Sequence, residues 1–319
     1  MSTTQQVLEL LTHTNDPLSG QDIANQLGLS RTAVWKAIKS LQTAGYKIDS
    51  RPRVGYQLYD SGNLSEALIR KYLPTTFLYP IEIHKTIDST NIRAKQLGNQ
   101  ANIATPYIVI ADQQTAGYGR YGRNFVSPSG TGIYISILLN NSRFDFDPGL
   151  LTTAVSLAIT RTIEKKLNAT AQIKWVNDVI VDEKKICGIL TEGISDLETQ
   201  SLTKIVVGAG INYLTTTFPI EIEKRAGSLR KYALQAHVSR NEFIANYLIE
   251  FFNLYKNYFD GTFMDEYRQH SNIIGHKVTI SQGEKTLTGT VTAINDKGAL
   301  VLADGTILSS GEVTKIRPL

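Results

Sequence analysis

Apolar positions first recur at helical spacing over residues 4–12, where Val7, Leu8, Leu10 and Leu11 gather largely on one side. A second helix opens at Ser19 or Gly20, turns Ile23, Ala24 and Leu27 inward and ends at Gly28. Ser30 is a good N-cap for a third helix through Thr43, on which Val34, Ile38 and Leu41 fall at i, i+4 and i+7. Arg31, Thr32, Lys36 and Lys39 are left towards solvent; Trp35 can either cap the small core or face outward, and partial burial is expected. Past Gly45 the period changes, and residues 46–51 and 54–58 read as a hairpin with Pro52 and Arg53 at its tip. Two short helices joined by a Gly-containing turn, then a wing, spell a winged helix-turn-helix.

Asp60-Ser61-Gly62-Asn63 is a polar break and the best linker. Beyond it the pattern predicts a helix over 65–73, a strand over 81–84, and a helix capped within Asp88-Ser89-Thr90-Asn91 and running to about Leu97. Apolar runs over 107–111 and 132–139 read as strands, and 150–167 as an amphipathic helix. Residues 173–178 end one strand and 179–181 begin another, Asp182-Glu183-Lys184 turns into 185–192, and 205–212 is a buried strand finishing at two glycines and Asn212. Strands that end in Asn, Asp, Lys or Gly beside helices suggest one layered α/β sheet with a polar site along its strand ends. Residues 213–238 read as an irregular, mobile loop and 241–259 as a long core helix. Four short alternating strands (277–281, 286–295, 299–303 and 305–309) suggest a small separate β-barrel. The expected domains are therefore 1–63, 64–270 and 271–319.

The connection between 111 and 132 departs from a tight hairpin turn. It carries glycines at 117, 119, 122, 130 and 132, arginines at 120 and 123, and few large apolar side chains. Ordering such a chain costs about 1–2 kcal/mol per residue, so something outside it is expected to help. Alternate glycines let backbone N–H groups approach a ligand, and the arginines add forked donors for phosphate or carboxylate. The plain alternative is a solvated surface loop, and neither G-x-x-x-x-G-K-[ST] nor G-x-G-x-x-G is present.

Composition changes the picture little. With 319 residues, 42% hydrophobic and 19% charged, the chain matches an ordinary soluble protein of about two domains. No apolar run approaches a membrane span, and the polar start, Ser2-Thr3-Thr4-Gln5-Gln6, is no signal peptide, so a cytoplasmic location is expected. One cysteine, Cys187, excludes an intrachain disulfide, and the histidines at 13, 84, 237, 270 and 276 show no ligand spacing. The overall charge of +4 identifies no partner, but residues 31–53 set six basic residues against Asp49. On a recognition helix and wing tip that is the footprint of a DNA reader; the other reading is a solvated face of a protein-docking module. The candidate DNA contacts are Ser30, Arg31, Thr32, Trp35, Lys36, Lys39, Arg51 and Arg53.

Five segments taken together resemble the bifunctional biotin operon repressor/biotin–[acetyl-CoA-carboxylase] ligase family over nearly the whole chain. They are Asp88-Ser89-Thr90-Asn91, Gln114-Thr115-Ala116-Gly117-x-Gly119-Arg120-x-Gly122-Arg123, Lys174-Trp175-x-Asn177-Asp178, Lys185-Ile186-x-Gly188-Ile189-Leu190-x-Glu192 and Val207-Gly208-Ala209-Gly210-Ile211-Asn212. The chain departs from the family pattern at Tyr118, Val176 and Phe125, where Arg, Pro and Trp are usual.

The resemblance implies a layered mixed α/β sheet of the class II aminoacyl-tRNA synthetase/biotin ligase type, with the winged helix in front and an SH3-like barrel behind. It implies an ATP-dependent ligase that forms biotinyl-5′-AMP, passes biotin to a lysine of a carboxylase acceptor domain, and represses transcription in response to biotin, as a homodimer when adenylate is bound. The substrates would be biotin and ATP, with Mg²⁺. Ser89, Thr90, Asn91, Gln114, Gly117, Tyr118, Gly119, Arg120, Lys185 and Gly188 would hold biotin; Arg120, Arg123, Phe125, Trp175, Asn177, Lys185 and Asn212 the nucleotide. Lys185, Arg120 and Arg123 would be catalytic, with Asp178 towards Mg²⁺. Two rival readings are a biotin-sensing repressor with little ligase activity and a lipoate ligase-like enzyme.

Overall fold

The computed structural model describes residues 2–14, 16–100, 102–141, 146–195, 201–283 and 285–317. These fall into two compact units, one of residues 1–77 with 239–245 and one of residues 78–238 with 246–319.

The first unit begins with α1 (Thr3–His13), α2 (Gly20–Leu27) and α3 (Arg31–Thr43), followed by the antiparallel pair β1 (Lys47–Arg51) and β2 (Gly55–Tyr59) and by α4 (Glu66–Tyr72). Serine caps start all three leading helices: Ser2, Ser19 and Ser30 accept the N–H groups of Gln5, Asp22 and Ala33. Gly28, at φ 65°, ends α2 in the left-handed conformation. Val7, Leu11, Ile23, Val34, Ile38 and Leu41 are buried together, as their spacing predicts. Trp35 is corrected: it is 52% exposed, not partly buried. It stands four residues from both Arg31 and Lys39, on the stripe that α3 turns outward. The polar break is pinned rather than loose. Asn241 Nδ2 donates to Asp60 Oδ1 at 2.8 Å and to the Asn63 carbonyl at 2.9 Å, while Asn241 Oδ1 accepts the Ser65 N–H at 3.0 Å.

The second unit is built on a seven-stranded mixed sheet. Its strands are β3 (Ile81–His84), β4 (Tyr107–Ala111), β5 (Ile133–Asn140), β6 (Gln172–Lys174), β7 (Asp178–Val181), β8 (Lys184–Ser195) and β9 (Leu202–Ile211), in the order β3-β4-β5-β9-β8-β7-β6. Only β3 and β4 run parallel. The central strands are near-continuous apolar runs because both of their faces are covered. Helices α5 (Thr90–Gly98) and α6 (Pro148–Leu167) belong to this unit, and Asp147 caps α6 through the N–H groups of Gly149 and Leu150. Residues 175–177 form the turn between β6 and β7, with Lys174 opposite Asp178.

Residues 213–238, expected to be irregular, contain α7 (Arg230–Ala236). Only Ala233 of that helix is buried, so no apolar stripe marks it in the sequence. The long aromatic helix is α8 (Arg240–Tyr255), shorter than expected and followed by a tight turn at Tyr258–Asp260, and α9 (Met264–Gln269) comes next. The C-terminal strands are β10 (Lys277–Gln282), β11 (Lys285–Ile294), β12 (Leu300–Leu302), β13 (Ile307–Leu308) and β14 (Glu312–Arg317). They form one antiparallel sheet ordered β13-β12-β11-β10-β14, with a fifth strand that the alternation pattern missed.

Candidate active site

A cavity of about 340 Å³ opens along one end of the seven-stranded sheet, beneath the glycine-rich connection. One end is neutral and polar. Ser89, Thr90 and Asn91, at the start of α5, are all buried. Thr90 donates its N–H and hydroxyl to Gln114 Oε1, at 2.8 and 3.1 Å, and Gln114 Nε2 donates to Ser127 Oγ at 2.9 Å. Ser136 Oγ lies 2.7 Å from Thr90 Oγ1 and 2.6 Å from Asn91 Oδ1, and Asn91 Nδ2 donates to Glu192 Oε2 at 2.7 Å. The glycine at 208 is a space requirement, since a Cβ there would stand 2.1 Å from Asn91 Oδ1.

Over this wall the connection folds back on itself as an irregular hairpin. Gln114 pairs with Ser127, the Phe125 N–H donates to the Gly117 carbonyl at 2.8 Å, and the Gly119 N–H to the Arg123 carbonyl at 2.8 Å. Tyr118, Gly119, Arg120, Arg123 and Phe125 line the cavity; Gly117 does not. Arg120 Nη1 donates to Asn177 Oδ1 at 3.3 Å and to the Gly311 carbonyl at 2.9 Å, and Arg123 pairs with Glu312. Phe125 lies against β9, where a Cβ at 210 would approach its ring to 2.5 Å.

The far end is cationic. Lys185 Nζ stands 2.5 Å from Asp178 Oδ1, and both line the cavity with Lys174, Asn177, Gly188 and Asn212. Burial pushes the Lys174 ammonium below the usual lysine range; the Lys185 and Arg225 charges push the same way, against the pull of Asp178 and Glu312. An anion placed here would relieve that penalty. Cys187 is fully buried and its thiol is pushed up by desolvation, so it is no nucleophile. Among the described residues no group of three or more His, Cys, Asp or Glu side chains forms a metal cage.

The structure thus gathers Ser89, Thr90, Asn91, Gln114, Tyr118, Gly119, Arg120, Arg123, Phe125, Asn177, Asp178, Lys185, Gly188 and Asn212 around one cavity. Trp175 lies outside it: its indole is 2% exposed and its Nε1 donates to the Gly298 carbonyl at 2.9 Å, a scaffold contact. Sequence reasoning missed Lys174, Arg225 and Glu312, which line the cavity, and Lys95, which stands behind it. Lys174 and Glu192 sit within motifs whose other residues carry the chemical signal. Glu312 carries no local signal, because only the C-terminal strand's return brings it to Arg123.

On the first unit Arg31, Thr32, Trp35, Lys36, Lys39, Arg51 and Arg53 are exposed on α3 and the wing, whereas the Ser30 hydroxyl is engaged as the α3 cap. No helix of the described residues is long and apolar enough to cross a membrane.

Residues 83–212 match the biotin/lipoate A/B protein ligase family, and residues 3–57 an HTH domain. The chain is 33% identical over 295 residues to the bifunctional ligase/repressor BirA of Bacillus subtilis, covering 90% of each chain. It is 26% identical over 305 residues to the bifunctional ligase/repressor BirA of Escherichia coli, covering 93% of this chain and 92% of that one. Among solved structures it is similar to the biotin protein ligase of Aquifex aeolicus in complex with biotin and ATP, at 27% identity and a TM-score of 0.60, covering 75% of this chain and 99% of that chain. The chain belongs to the bifunctional ligase/repressor BirA family.

Proposed function

We propose that the chain is an ATP-dependent biotin protein ligase that also acts as a biotin-responsive repressor. The observation that carries the reading is the polarity of the cavity. A neutral hydrogen-bonding end at Thr90, Asn91 and Gln114 suits an uncharged ureido ring. A cationic end at Arg120, Lys174 and Lys185 suits a carboxylate beside a triphosphate.

The first step joins two anions. The biotin carboxylate attacks the α-phosphorus of ATP, the bond to the β-phosphate oxygen breaks, and pyrophosphate leaves. Lys185 and Arg120 offset the charge that builds up as the anions meet. Asp178, 2.5 Å from Lys185 Nζ, holds that ammonium in place. Mg²⁺ binds proteins through one or two carboxylates plus substrate phosphates, a role for which Asp178 fits, and it would supply further charge neutralisation. The product is a mixed anhydride that water destroys, so Gly119, Arg120 and Phe125 of the connection would shield it. The neutral ε-amine of an acceptor-domain lysine then attacks the acyl carbon, and AMP leaves. No protein nucleophile is required.

Repression rests on the first unit. A single winged module buries only about 600–1,000 Å² on DNA, so two copies on a palindrome would be needed. The reading therefore includes a homodimer favoured by the adenylate, with an edge strand of the central sheet as its surface. Incubating the protein with biotin, MgATP and a purified acceptor domain should add one biotin to one acceptor lysine, read by intact mass. Modification that proceeds without ATP, or none at all, would overturn the ligase reading.

A further inference from the structure

Glu192 closes the motif that begins at Lys185, yet it does not line the cavity, and neither does Lys95. Together they hold Tyr118, which does. Tyr118 OH donates to Glu192 Oε2 at 2.8 Å. Lys95 Nζ donates to Tyr118 OH at 3.2 Å and to Glu192 Oε1 at 2.5 Å, and stands 5.7 Å from the Tyr118 ring centre. Glu192 Oε2 also accepts from Asn91. Three separate elements therefore meet at one carboxylate: α5, β8 and the glycine-rich connection.

The local sequence makes that meeting consequential. Between Thr115 and Arg120 the connection reads Ala-Gly-Tyr-Gly, so Tyr118 is the one large side chain with which this arm is anchored. Burial alone would raise the Glu192 carboxyl, but hydrogen bonds from Lys95, Asn91 and Tyr118 outweigh it and hold it below the usual range. The carboxylate is thus kept charged as an acceptor. Here a phenol reaches the carboxylate and Lys95 supplies the charge.

We infer that Lys95 and Glu192 are positioning residues that tether the connection through Tyr118, and that this tether sets how long the acyl-adenylate is retained. The inference rests on the ligase reading. Neither residue lines the cavity in which the reacting atoms would sit. The tether fixes the arm beside the ring end, whereas Arg120 and Arg123 fix the other arm against Asn177, Gly311 and Glu312.

The test uses the full chain, loaded with biotin and MgATP and then chased with excess unlabelled biotin, with adenylate release followed by rapid filtration. The biotin KM, the kcat of adenylation and the melting temperature are measured alongside. Tyr118→Phe removes only the hydroxyl and should speed release about ten-fold, the weak end for a hydrogen bond to a charged group. Glu192→Gln should speed release and also raise the biotin KM, since Asn91 loses its charged acceptor. Lys95→Met should speed release, and adding Tyr118→Arg to it should restore retention to within about three-fold of the parent, because the cation returns on the loop itself. A merely structural role predicts no such rescue. Parent-like release by Tyr118→Phe overturns the tether, as does a double variant no better than Lys95→Met alone. A parent that forms no adenylate overturns the ligase reading, and this inference with it.

Discussion

Gly208 and Gly210 lie two residues apart on β9, and therefore on one face of the sheet. Each is a glycine because a different side chain occupies the space above it. A Cβ at 208 would stand 2.1 Å from Asn91 Oδ1 and 2.8 Å from Asn91 Cγ. Asn91 cannot simply swing away, because Ser136 and Glu192 hold both ends of its amide. Gly208→Ala should therefore cost about 1–3 kcal/mol for overpacking, plus about 1.5 kcal/mol or more where the bond to Glu192 breaks. That corresponds to a melting temperature about 5–15 °C lower for a unit of this size. A Cβ at 210 would instead meet the Phe125 ring at 2.5 and 2.6 Å. That ring makes no hydrogen bond and can tilt, so Gly210→Ala should cost less, about 1–2 kcal/mol. The two variants should separate in kinetics as well. Gly208→Ala should raise the biotin KM about ten-fold or more while the ATP KM stays close to the parent's, and Gly210→Ala should do the reverse. The assay is pyrophosphate release with one substrate varied and the other saturating. If both variants raise the same KM, the division of the cavity into a ring end and a nucleotide end is wrong.

Lys185→Ala should slow adenylate formation by about 10²–10³ but transfer from preformed adenylate much less, because its charge matters while two anions meet; equal slowing of the two half-reactions would count against that role. Arg120→Ala loses its hydrogen bonds to Asn177 and Gly311, and should release adenylate faster and increase biotinylation of bystander lysines; an unchanged release rate would remove it from the lid. Because the Glu192 carboxyl is held below its ordinary value, its contribution to stability is present above the ordinary carboxylate pKa and lost as pH falls through the folded one. The parent's melting temperature should thus fall more steeply than that of Glu192→Gln as the pH drops below the ordinary carboxyl value of 4.5, and parallel curves would refute this. Neutralising Lys36 and Arg53 should weaken operator binding and flatten its salt dependence by about 0.9 for each phosphate no longer neutralised; an unaltered slope would take them off the DNA backbone.

The winged helix was legible because its signals are local. Serine caps, a core stripe at 34, 38 and 41, and Gly28 at a helix end each act within a few residues. Trp35 was misjudged because aromatic content suggested burial, whereas its place on the Arg31–Lys39 stripe decides exposure. The helix at Arg230–Ala236 stayed hidden because it buries one residue and so writes no periodic pattern. Within the site, the motifs gave the cavity wall, since Asn177, Asp178, Lys185 and Asn212 sit at strand ends and turns that the pattern places. Tertiary pairings were not legible. That Glu192 meets Lys95 and Tyr118, or that Glu312 returns to Arg123, follows from sheet register and from the path of a distant strand. Trp175 shows the converse, a motif residue whose indole supports the scaffold outside the cavity.

The most direct measurement omits the acceptor altogether. The purified chain is mixed with biotin and ATP labelled at the α-phosphate, and the bound product is released by denaturation and identified by mass, with lipoate as the competing acid. Biotinyl-5′-AMP is expected at about one per chain, matched by one pyrophosphate and unaffected by lipoate, because one site makes and shields a mixed anhydride. A lipoyl adenylate in place of the biotinyl one, or biotin bound with no label transferred to it, would rule out a biotin ligase.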